Sequence, residues 1–470
     1  MLSETKMLNA IILQMVRSWA AAEEGVHSTS ELLQWIEEKN STTHVNIDKI
    51  PLSECLPWTY NPESGRIQNP DGSFFTISGF RQIQSGEVIH EQPIILQEEI
   101  GYLGIICKEM GGVLHFLMQA KIEPGNVNKV QISPTIQATK SNFTQKHGGR
   151  RPAYLEYFLD VDSRAVVVDQ IQSEQSSRFY KKRNRNIIIL VEEEVEVLPS
   201  HKWMTLGQIK QLMKYDNLVN MDTRTVLSCI PYSLAELTDS ELDGIKSYFS
   251  NSALFTSIFA DSDVNYLPEM YQYINNYKMF NDTRTELVPL HHLTGWEMRD
   301  SSIASTSVSS FQVIYCNIEI EGREVVQWTQ PLFEALGKAT FGLICCEDGG
   351  VLKFLVHAKP EVGCFDQIEL GPSVQLEADC SLDAGDAIIQ LFMQCRGNPE
   401  CVVCDVVLSE EGGRFYCEEN HNVIVKAEIS QLTSLPPGYF LVDFKTLNRL
   451  VQVNNCLNIQ LRNLLSLLDI

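Results

Sequence analysis

The chain has 470 residues, 44% of them apolar and 21% charged, which is typical of folded globular domains and excludes disordered or collagen-like chains. At about 100–200 residues per domain, this length predicts two to four domains. Sixty acidic residues against 37 basic ones give a formal charge of −23. That charge argues against non-specific nucleic-acid binding, because neutralising phosphates requires a basic surface.

The first predicted element is an amphipathic helix at the N-terminus. Apolar residues recur at helical spacing between Glu4 and Arg17, and charges flank the run, which favours a helix over a signal peptide. No stretch approaches the roughly 18–20 apolar residues of a membrane span. The thirteen cysteines are odd in number and irregularly spaced, so we expect reduced thiols and a cytoplasmic location.

The chain contains an internal repeat with an offset of 238 residues. Residues 92–137 align without a gap on residues 330–375, with identity at 18 of 46 positions. This period is too long for a solenoid, so each copy is expected to be a whole domain. We predict a first repeat over residues 1–232, a connecting segment over 233–265 and a second repeat over 266–470.

Each repeat is predicted to consist of strands framed by helices. In the first repeat the order is a helix at 31–40, a hairpin of 102–108 and 113–121, strands at 129–137, 165–172 and 186–198, and helices at 205–217 and 222–230. Alternating or continuous apolar runs indicate the strands, and helical spacing indicates the helices. The predicted fold class is therefore α/β (α+β), with a mixed β-sheet flanked by helices.

Residues 134–158 are the densest polar stretch of the first repeat. Gly148 and Gly149 precede Arg150 and Arg151, which would combine close backbone approach with a paired cationic contact and so suit a phosphate. A basic surface loop is the alternative. The other candidate residues of this stretch are Thr135, Gln137, Asn142, Phe143, His147, Tyr154 and Tyr157.

A second candidate is the basic stretch at residues 174–186, which holds five basic side chains and one acidic one. In so acidic a protein it indicates an anionic partner, or else a solvated hairpin tip. The equivalent residues 410–422 hold one basic and four acidic side chains, and the His-Gly-Gly-Arg-Arg motif has no counterpart in the second repeat. We therefore predict one competent pocket, built largely by the first repeat, and a degenerate one in the second; residues of the second repeat could also contribute to the first pocket.

Other motifs give little support to other chemistries. Cys401 and Cys404 have zinc-ligand spacing, but they lie in a predicted strand that would direct their thiols to opposite faces. No dinucleotide-binding GxGxxG follows a strand, and neither GxxxxGK[ST] nor GxSxG occurs. These absences argue against nicotinamide or ATP enzymes and common serine hydrolases.

The sequence resembles the NDP-hexose 2,3-dehydratases over nearly its whole length. The motifs that carry the resemblance are IPLSECLPW, the doubled QP…GVLxFL…AKxE, PTIQATKSNFTQKHGGRRPAYLEYF, SEQSSRFYKKRNRN and SEEGGRFY. The resemblance implies a duplicated Nudix-like fold without metal or other cofactor, a homodimer, and a second pocket that is a remnant. The second half departs from the family pattern, with Ser373 in place of threonine and no Asn-Tyr after it.

The resemblance further implies loss of water from a dTDP-4-keto-6-deoxy-hexose, followed by a partner 3-ketoreductase. On this basis His147, Tyr154 and Glu174 are the candidate acids and bases. The substrate-binding candidates are Thr135, Gln137, Asn142, Phe143, Gly148, Gly149, Arg150, Arg151, Tyr157, Ser173, Gln175, Arg178, Arg183, Arg185 and Asn186. Glu123 is matched by Glu361 in the second repeat and is therefore interpreted as part of the scaffold.

Two other functions remain open at this point. The eroded second half favours a catalytically inactive protein that binds or assembles nucleotide sugars, whereas the intact polar set of the first half favours the enzyme. A Nudix-like hydrolase is disfavoured because the acidic metal-binding box of those enzymes is missing.

Overall fold

The computed structural model describes residues 4–70, 72–139, 151–260, 266–323, 325–378 and 385–470. These residues form four mixed β-sheets flanked by helices, and equivalent elements occur in both repeats. This confirms the predicted α/β class and the tandem duplication, while the Nudix likeness stays a prediction.

Several helices begin after a residue whose side chain caps the first turn. Ser28 and Glu31 form a capping box, as do Thr205 and Gln208, and Asn220 accepts from the backbone of the next helix. The described helices are α1 (Glu4–Ala20), α2 (Thr29–Thr42), α3 (Glu156–Leu159), α4 (Leu206–Leu212), α5 (Met221–Ser228), α6 (Asp239–Lys246), α7 (Ser252–Phe259), α8 (Leu267–Phe280), α9 (Ala387–Arg396), α10 (Phe444–Val451) and α11 (Ile459–Ser466). None of these helices is both long and apolar enough to cross a bilayer.

Most strands of the first repeat lie in two sheets. The six-stranded sheet contains β2 (Thr59–Asn61), β3 (Arg66–Gln68), β4 (Thr76–Gln84), β5 (Glu87–Leu96) and β11 (Phe179–Tyr180). The seven-stranded sheet contains β6 (Gly101–Met110), β7 (Val113–Ile122), β8 (Val130–Ser133), β9 (Ile136–Ala138), β10 (Val166–Ser173), β12 (Arg183–Leu190) and β13 (His201–Thr205). The predicted hairpin is confirmed as β6 and β7, which are joined by Gly111 and Gly112, both with positive φ.

The second repeat has the same arrangement. Its six-stranded sheet contains β15 (Trp296–Met298), β16 (Ser302–Ser305), β17 (Phe311–Ile320), β18 (Gln327–Ala335) and β24 (Phe415–Tyr416). Its seven-stranded sheet contains β19 (Thr340–Asp348), β20 (Val351–Pro360), β21 (Ile368–Gly371), β22 (Val374–Leu376), β23 (Val402–Ser409), β25 (Glu419–Lys426) and β26 (Tyr439–Asp443).

The two repeats exchange strands. β1 (Val45–Ile50), from the first repeat, pairs antiparallel with β17 of the second repeat. β14 (Arg284–Val288), from the second repeat, pairs antiparallel with β4 of the first. Each six-stranded sheet is thus completed by the other repeat, which satisfies backbone groups that would otherwise form an open edge.

Two glycines hold the repeats together by close backbone contacts. The Gly125 nitrogen donates to the Gly412 oxygen at 2.7 Å, and the Cys417 nitrogen donates to the Gly125 oxygen at 2.9 Å. The same contacts occur between Gly363 and the loop at 176–181 of the first repeat. A Cβ on Gly125 would lie 1.5 Å from the Phe415 oxygen, so only glycine permits this approach.

Two buried arginines join the repeats at the facing helices α5 and α11. The Arg224 guanidinium donates to the Ser409 oxygen at 2.7 Å, and that of Arg462 donates to the Ser173 oxygen at 2.6 Å. Both arginines are at most 1% exposed. The largest apolar cluster also runs through both repeats, so they share a core.

Part of the predicted connecting segment corresponds to the first helix of the other repeat. Ser257 of α7 donates to the Leu352 oxygen and accepts from the Phe444 nitrogen. Ser18 of α1 makes the equivalent contacts with Leu114 and Leu206. The boundaries at residues 232 and 266 stay predictions, and these contacts favour a second repeat that starts before α7.

Replacing Gly125 with alanine should destabilise the protein, because the added Cβ would overlap the Phe415 oxygen. We expect the free energy of unfolding to fall by about 3 kcal/mol in chemical denaturation. Gly244→Ala is the control, because Gly244 lies in α6 with open space around its Cβ position. That change should leave stability equal or up to about 1 kcal/mol higher; equal stability of both variants would contradict the steric argument.

Candidate active site

A cavity of about 580 Å³ lies between the two repeats. Its volume is within the range of small-molecule pockets. The first repeat lines it from the seven-stranded sheet and α5, and the second repeat lines it from β18 and from the loop at 411–414. The charged residues that line it are Lys121, Glu123, Glu174, Lys182, Asp222, Arg323, Glu411 and Arg414.

The end of β7 supplies the first charged pair. Lys121 and Glu123 are two residues apart, so extended backbone directs them to the same side. The Lys121 Nζ lies 3.3 Å from the Glu123 Oε1, and the Gln137 Nε2 donates to the same oxygen at 3.1 Å. Both members of the pair are less than 10% exposed.

The turn between β10 and β12 supplies the second pair. The Glu174 nitrogen donates to the Lys182 oxygen at 3.0 Å, which closes this turn. The Asn184 Nδ2 donates to the Glu174 Oε1 at 2.7 Å, and the Lys182 ammonium donates to the Glu99 oxygen. The basic stretch predicted from the sequence therefore reaches the cavity through Lys182.

The second repeat contributes Glu411 and Arg414. The Glu411 Oε1 accepts from the Gly413 nitrogen at 3.1 Å. The Arg414 guanidinium lies over the Phe75 ring, 4.3 Å from its centroid, and donates to the Gly413 oxygen at 2.8 Å. The Gln330 Nε2 donates to that same oxygen at 2.7 Å, which fixes the loop against β18.

Burial shifts the pKa values of these groups toward their neutral forms. It raises the pKa of Glu411 to about 7, with a further contribution from Glu123 and an opposing one from Arg414. It raises the pKa of Asp222 well above the usual range, and nearby Glu174 adds to this. Burial also raises the pKa of Glu174 and lowers that of Lys182 to about 8. The site therefore holds several groups able to exchange protons near neutral pH.

Aromatic side chains form another part of the lining. Trp58, Phe74 and Trp328 all line the cavity. The Trp58 Nε1 donates to the Thr329 oxygen at 2.9 Å, and the Trp328 Nε1 donates to the Gln330 Oε1 at 2.9 Å. With their polar atoms bonded, these rings offer apolar faces suited to a planar base. Among the described side chains, no group of three or more His, Cys, Asp or Glu could hold a metal ion.

Only part of the predicted site faces this cavity. Glu174 and Gln137 line it. Tyr154 instead donates to the Glu196 oxygen at 2.8 Å and accepts from the Leu198 nitrogen, and Tyr157 packs in the same apolar cluster. Arg151 is exposed. Asn142, Phe143, His147, Gly148, Gly149 and Arg150 lie outside the described residues.

Thr135 has a role within the sheet. Its hydroxyl donates to the Leu117 oxygen and accepts from the Ile106 nitrogen. Ser373, at the equivalent place, donates to the Leu355 oxygen and accepts from the Ile344 nitrogen. The departure from the family pattern at Ser373 thus keeps both hydrogen bonds.

Several other predicted residues contact the second repeat or bond to neighbours in the first repeat, away from the cavity. Ser173 donates to Glu369, Gln175 donates to Glu418, and Arg178 pairs with Glu377 and lies over Phe311. Arg183 lies over the Phe365 ring, and Arg185 forms a bidentate pair with Asp169. Asn186 donates to the Asn184 oxygen. None of these six lines the large cavity.

Lys121, Asp222, Glu411 and Arg414 were not predicted from the sequence as site residues, and Glu123 was interpreted as scaffold. The Lys-x-Glu pair recurs as Lys359 and Glu361, and this repetition was the available signal. Whether the second repeat contributes to the pocket was left open, because the internal alignment shows which residues are equivalent but not which of them meet in space.

The equivalent place in the second repeat has different charges. Glu418 of the second repeat is equivalent to Lys182 of the first, and Gln460 is equivalent to Asp222. Across the interface, Glu418 is faced by Gln175, whereas Lys182 is faced by Glu411. The predicted degeneracy of this second pocket stays a prediction, and these exchanges are its physical basis.

A family model described as NDP-hexose 2,3-dehydratase matches the chain twice, over residues 29–230 and 267–468. A dTDP-4-dehydro-6-deoxy-alpha-D-glucopyranose 2,3-dehydratase from Saccharopolyspora spinosa is 38% identical over 458 residues, covering 96% of this chain and 94% of that protein. Proteins of the same name from Amycolatopsis orientalis and Streptomyces violaceoruber are 33% and 34% identical, covering 96% and 94% of this chain and 92% and 97% of their own lengths. Since both of its halves match the family model, and since these relatives align over almost their full lengths, the chain belongs to the NDP-hexose 2,3-dehydratase family.

Proposed function

We propose that this chain removes water across C2 and C3 of a dTDP-4-keto-6-deoxy-hexose, and that the cavity between the repeats is its active site. The product would be a 3,4-diketo-2,6-dideoxy sugar nucleotide. The observation that carries the proposal is the set of four carboxyl groups and four cations with which both repeats line one cavity. A chain of the 2,3-dehydratase family needs such a set for proton transfer and for an anionic substrate.

The reaction needs a base, an acid and stabilisation of an oxyanion. The C4 ketone makes the proton on C3 acidic, and a base removes it to give an enolate. The C2–O bond then breaks, its electron pair goes to the departing oxygen, and an acid supplies the proton that makes water. The enol product tautomerises to the 3,4-diketone, so no net oxidation occurs and no redox cofactor is required.

We assign the base to Glu411. Its pKa near 7 leaves a large ionised fraction at neutral pH, and a single backbone donor holds the carboxylate in place. Lys121, Lys182 and Arg414 would stabilise the enolate oxygen and the diphosphate, while Trp58 and Trp328 would stack on the base of the nucleotide. His147 stays the rival base predicted from the sequence.

The assembly and location of the protein belong to the same proposal. We expect a homodimer, which is supported by the exposed Met279 and Phe280 at the end of α8. We also expect a 3-ketoreductase to consume the reactive diketone. The described cysteines are all free thiols, which supports a reducing cytoplasmic location.

The first test is incubation of the purified protein with dTDP-4-keto-6-deoxyglucose in deuterium oxide, with an NADPH-dependent 3-ketoreductase to trap the product. Loss of one water and deuterium at C2 of the reduced product, measured by mass spectrometry and NMR, are expected. Tight binding of the nucleotide sugar without turnover would favour the inactive binding or assembly protein instead. No binding would contradict the cavity assignment.

Glu411→Gln should lower kcat by about 10²- to 10⁴-fold, because a neutral amide cannot accept the C3 proton. In the unchanged enzyme, kcat/KM should fall as pH decreases through about 7, because the base is then protonated. The measurement is the pH profile of initial rates. A variant with unchanged rates would overturn the assignment, and an equal loss in His147→Ala but not in Glu411→Gln would transfer it to His147.

Arg414→Gln should move the acidic limb of the kcat/KM profile to higher pH by roughly one unit, because Arg414 stabilises ionised Glu411. Arg178 occupies the equivalent place and pairs with Glu377 of the second repeat. Arg178→Gln should therefore leave the position of the limb unchanged. Equal shifts in both variants would contradict the local electrostatic effect.

A further inference from the structure

Asp222 is a buried carboxyl group that the base assignment leaves unused. It lies in the first turn of α5, lines the cavity and is only 1% exposed. Neither of its side-chain oxygens has a hydrogen-bond partner among the described residues. Buried polar atoms normally have partners, so two open oxygens at a cavity wall indicate a contact with a ligand.

The surroundings of Asp222 favour its protonated form. Burial and the nearby Glu174, Glu411 and Glu123 all raise its pKa, and Lys121 is the cation that opposes them. A neutral carboxyl group at this place carries a proton that it can donate. Glu411, with a pKa near 7, is by contrast suited to accept one.

The second repeat provides an internal comparison. Gln460 stands at the equivalent place, is 2% exposed, and likewise has no hydrogen-bond partner for its amide atoms among the described residues. The fold therefore accepts a neutral amide here, and an ionisable carboxyl group is not a requirement of folding. The first repeat differs from the second in having a transferable proton.

We propose that Asp222 is the acid that protonates the departing 2-hydroxyl group, an inference that rests on the proposed dehydration. As the C2–O bond breaks, its electron pair stays on oxygen, which takes the Asp222 proton and leaves as water. The electrons of the enolate form the C2–C3 double bond. During tautomerisation the O3 proton returns to Asp222, and C2 takes a proton from Glu411, which restores both carboxyl groups.

The test separates removal of the C3 proton from loss of water. Asp222→Asn is incubated with dTDP-4-keto-6-deoxyglucose in deuterium oxide, and deuterium at C3 of the recovered substrate is measured together with water loss. We expect water loss to fall by about 10²- to 10⁴-fold, while exchange at C3 continues. In Glu411→Gln both quantities should fall, and in the control Gln460→Leu both should stay unchanged.

Two further measurements keep the result interpretable. Binding of dTDP, measured by calorimetry, should be unchanged in Asp222→Asn. Asp222→Gln is a second variant for the same measurements, because it introduces the amide that the second repeat already accommodates at this place. The infrared spectrum at neutral pH should contain a protonated carboxyl band that Asp222→Asn lacks.

Three outcomes would overturn the role of Asp222. They are retained water loss in Asp222→Asn, loss of C3 exchange in a variant that still binds dTDP, and absence of the infrared difference. Failure of the unchanged enzyme to release water would instead refute the proposed function. The assay of that enzyme therefore distinguishes the two failures.

Discussion

The structure depends on the backbone contact between Gly125 and the loop that follows Gly412. This contact brings the second repeat to within hydrogen-bonding distance of the end of β7. Glu411 and Arg414 lie in the loop held by this contact, and both line the cavity between the repeats. Gly363 of the second repeat makes the equivalent contact with the first repeat, so two reciprocal backbone contacts join the repeats. The proposed active site is consequently a property of the whole chain and of neither repeat alone.

Charge balance is the second constraint on the site. Four carboxyl groups face four cations, so full ionisation would leave the lining without net charge before an anionic ligand enters. The surroundings of Asp222 favour its protonated form, and protonation there leaves one net positive charge, which suits an anionic ligand. Entry of a diphosphate adds negative charge and raises the carboxyl pKa values further. In the proposed reaction, substrate binding would thus favour the protonation state that the departing hydroxyl group needs.

The sequence predicts the scaffold better than the site for a physical reason. Strands and helices depend on neighbouring residues, which is why the hairpin around Gly111 and the helix that begins after Thr205 could be deduced. The site residues depend on which residues of the two repeats meet in space. The alignment of one repeat on the other does not contain that information. Arg178 and Arg414 are equivalent in sequence, yet each points into the other repeat's half of the molecule. Thr135 was predicted to bind the substrate, whereas its hydroxyl forms hydrogen bonds within the sheet.

The exchange of β1 and β14 bears on how such a chain could arise. Because each strand completes the sheet of the other repeat, the same contacts made between two separate copies would give a strand-swapped dimer with two equal pockets. Fusion of those copies into one polypeptide removes the symmetry requirement, so residues such as Lys182 and Glu418 can diverge independently. The loop at 411–414 would then be retained for the proposed chemistry of the first repeat, even while the second repeat lost its own predicted pocket. Selection on the second repeat would accordingly be strongest at the residues with which it lines the cavity between the repeats.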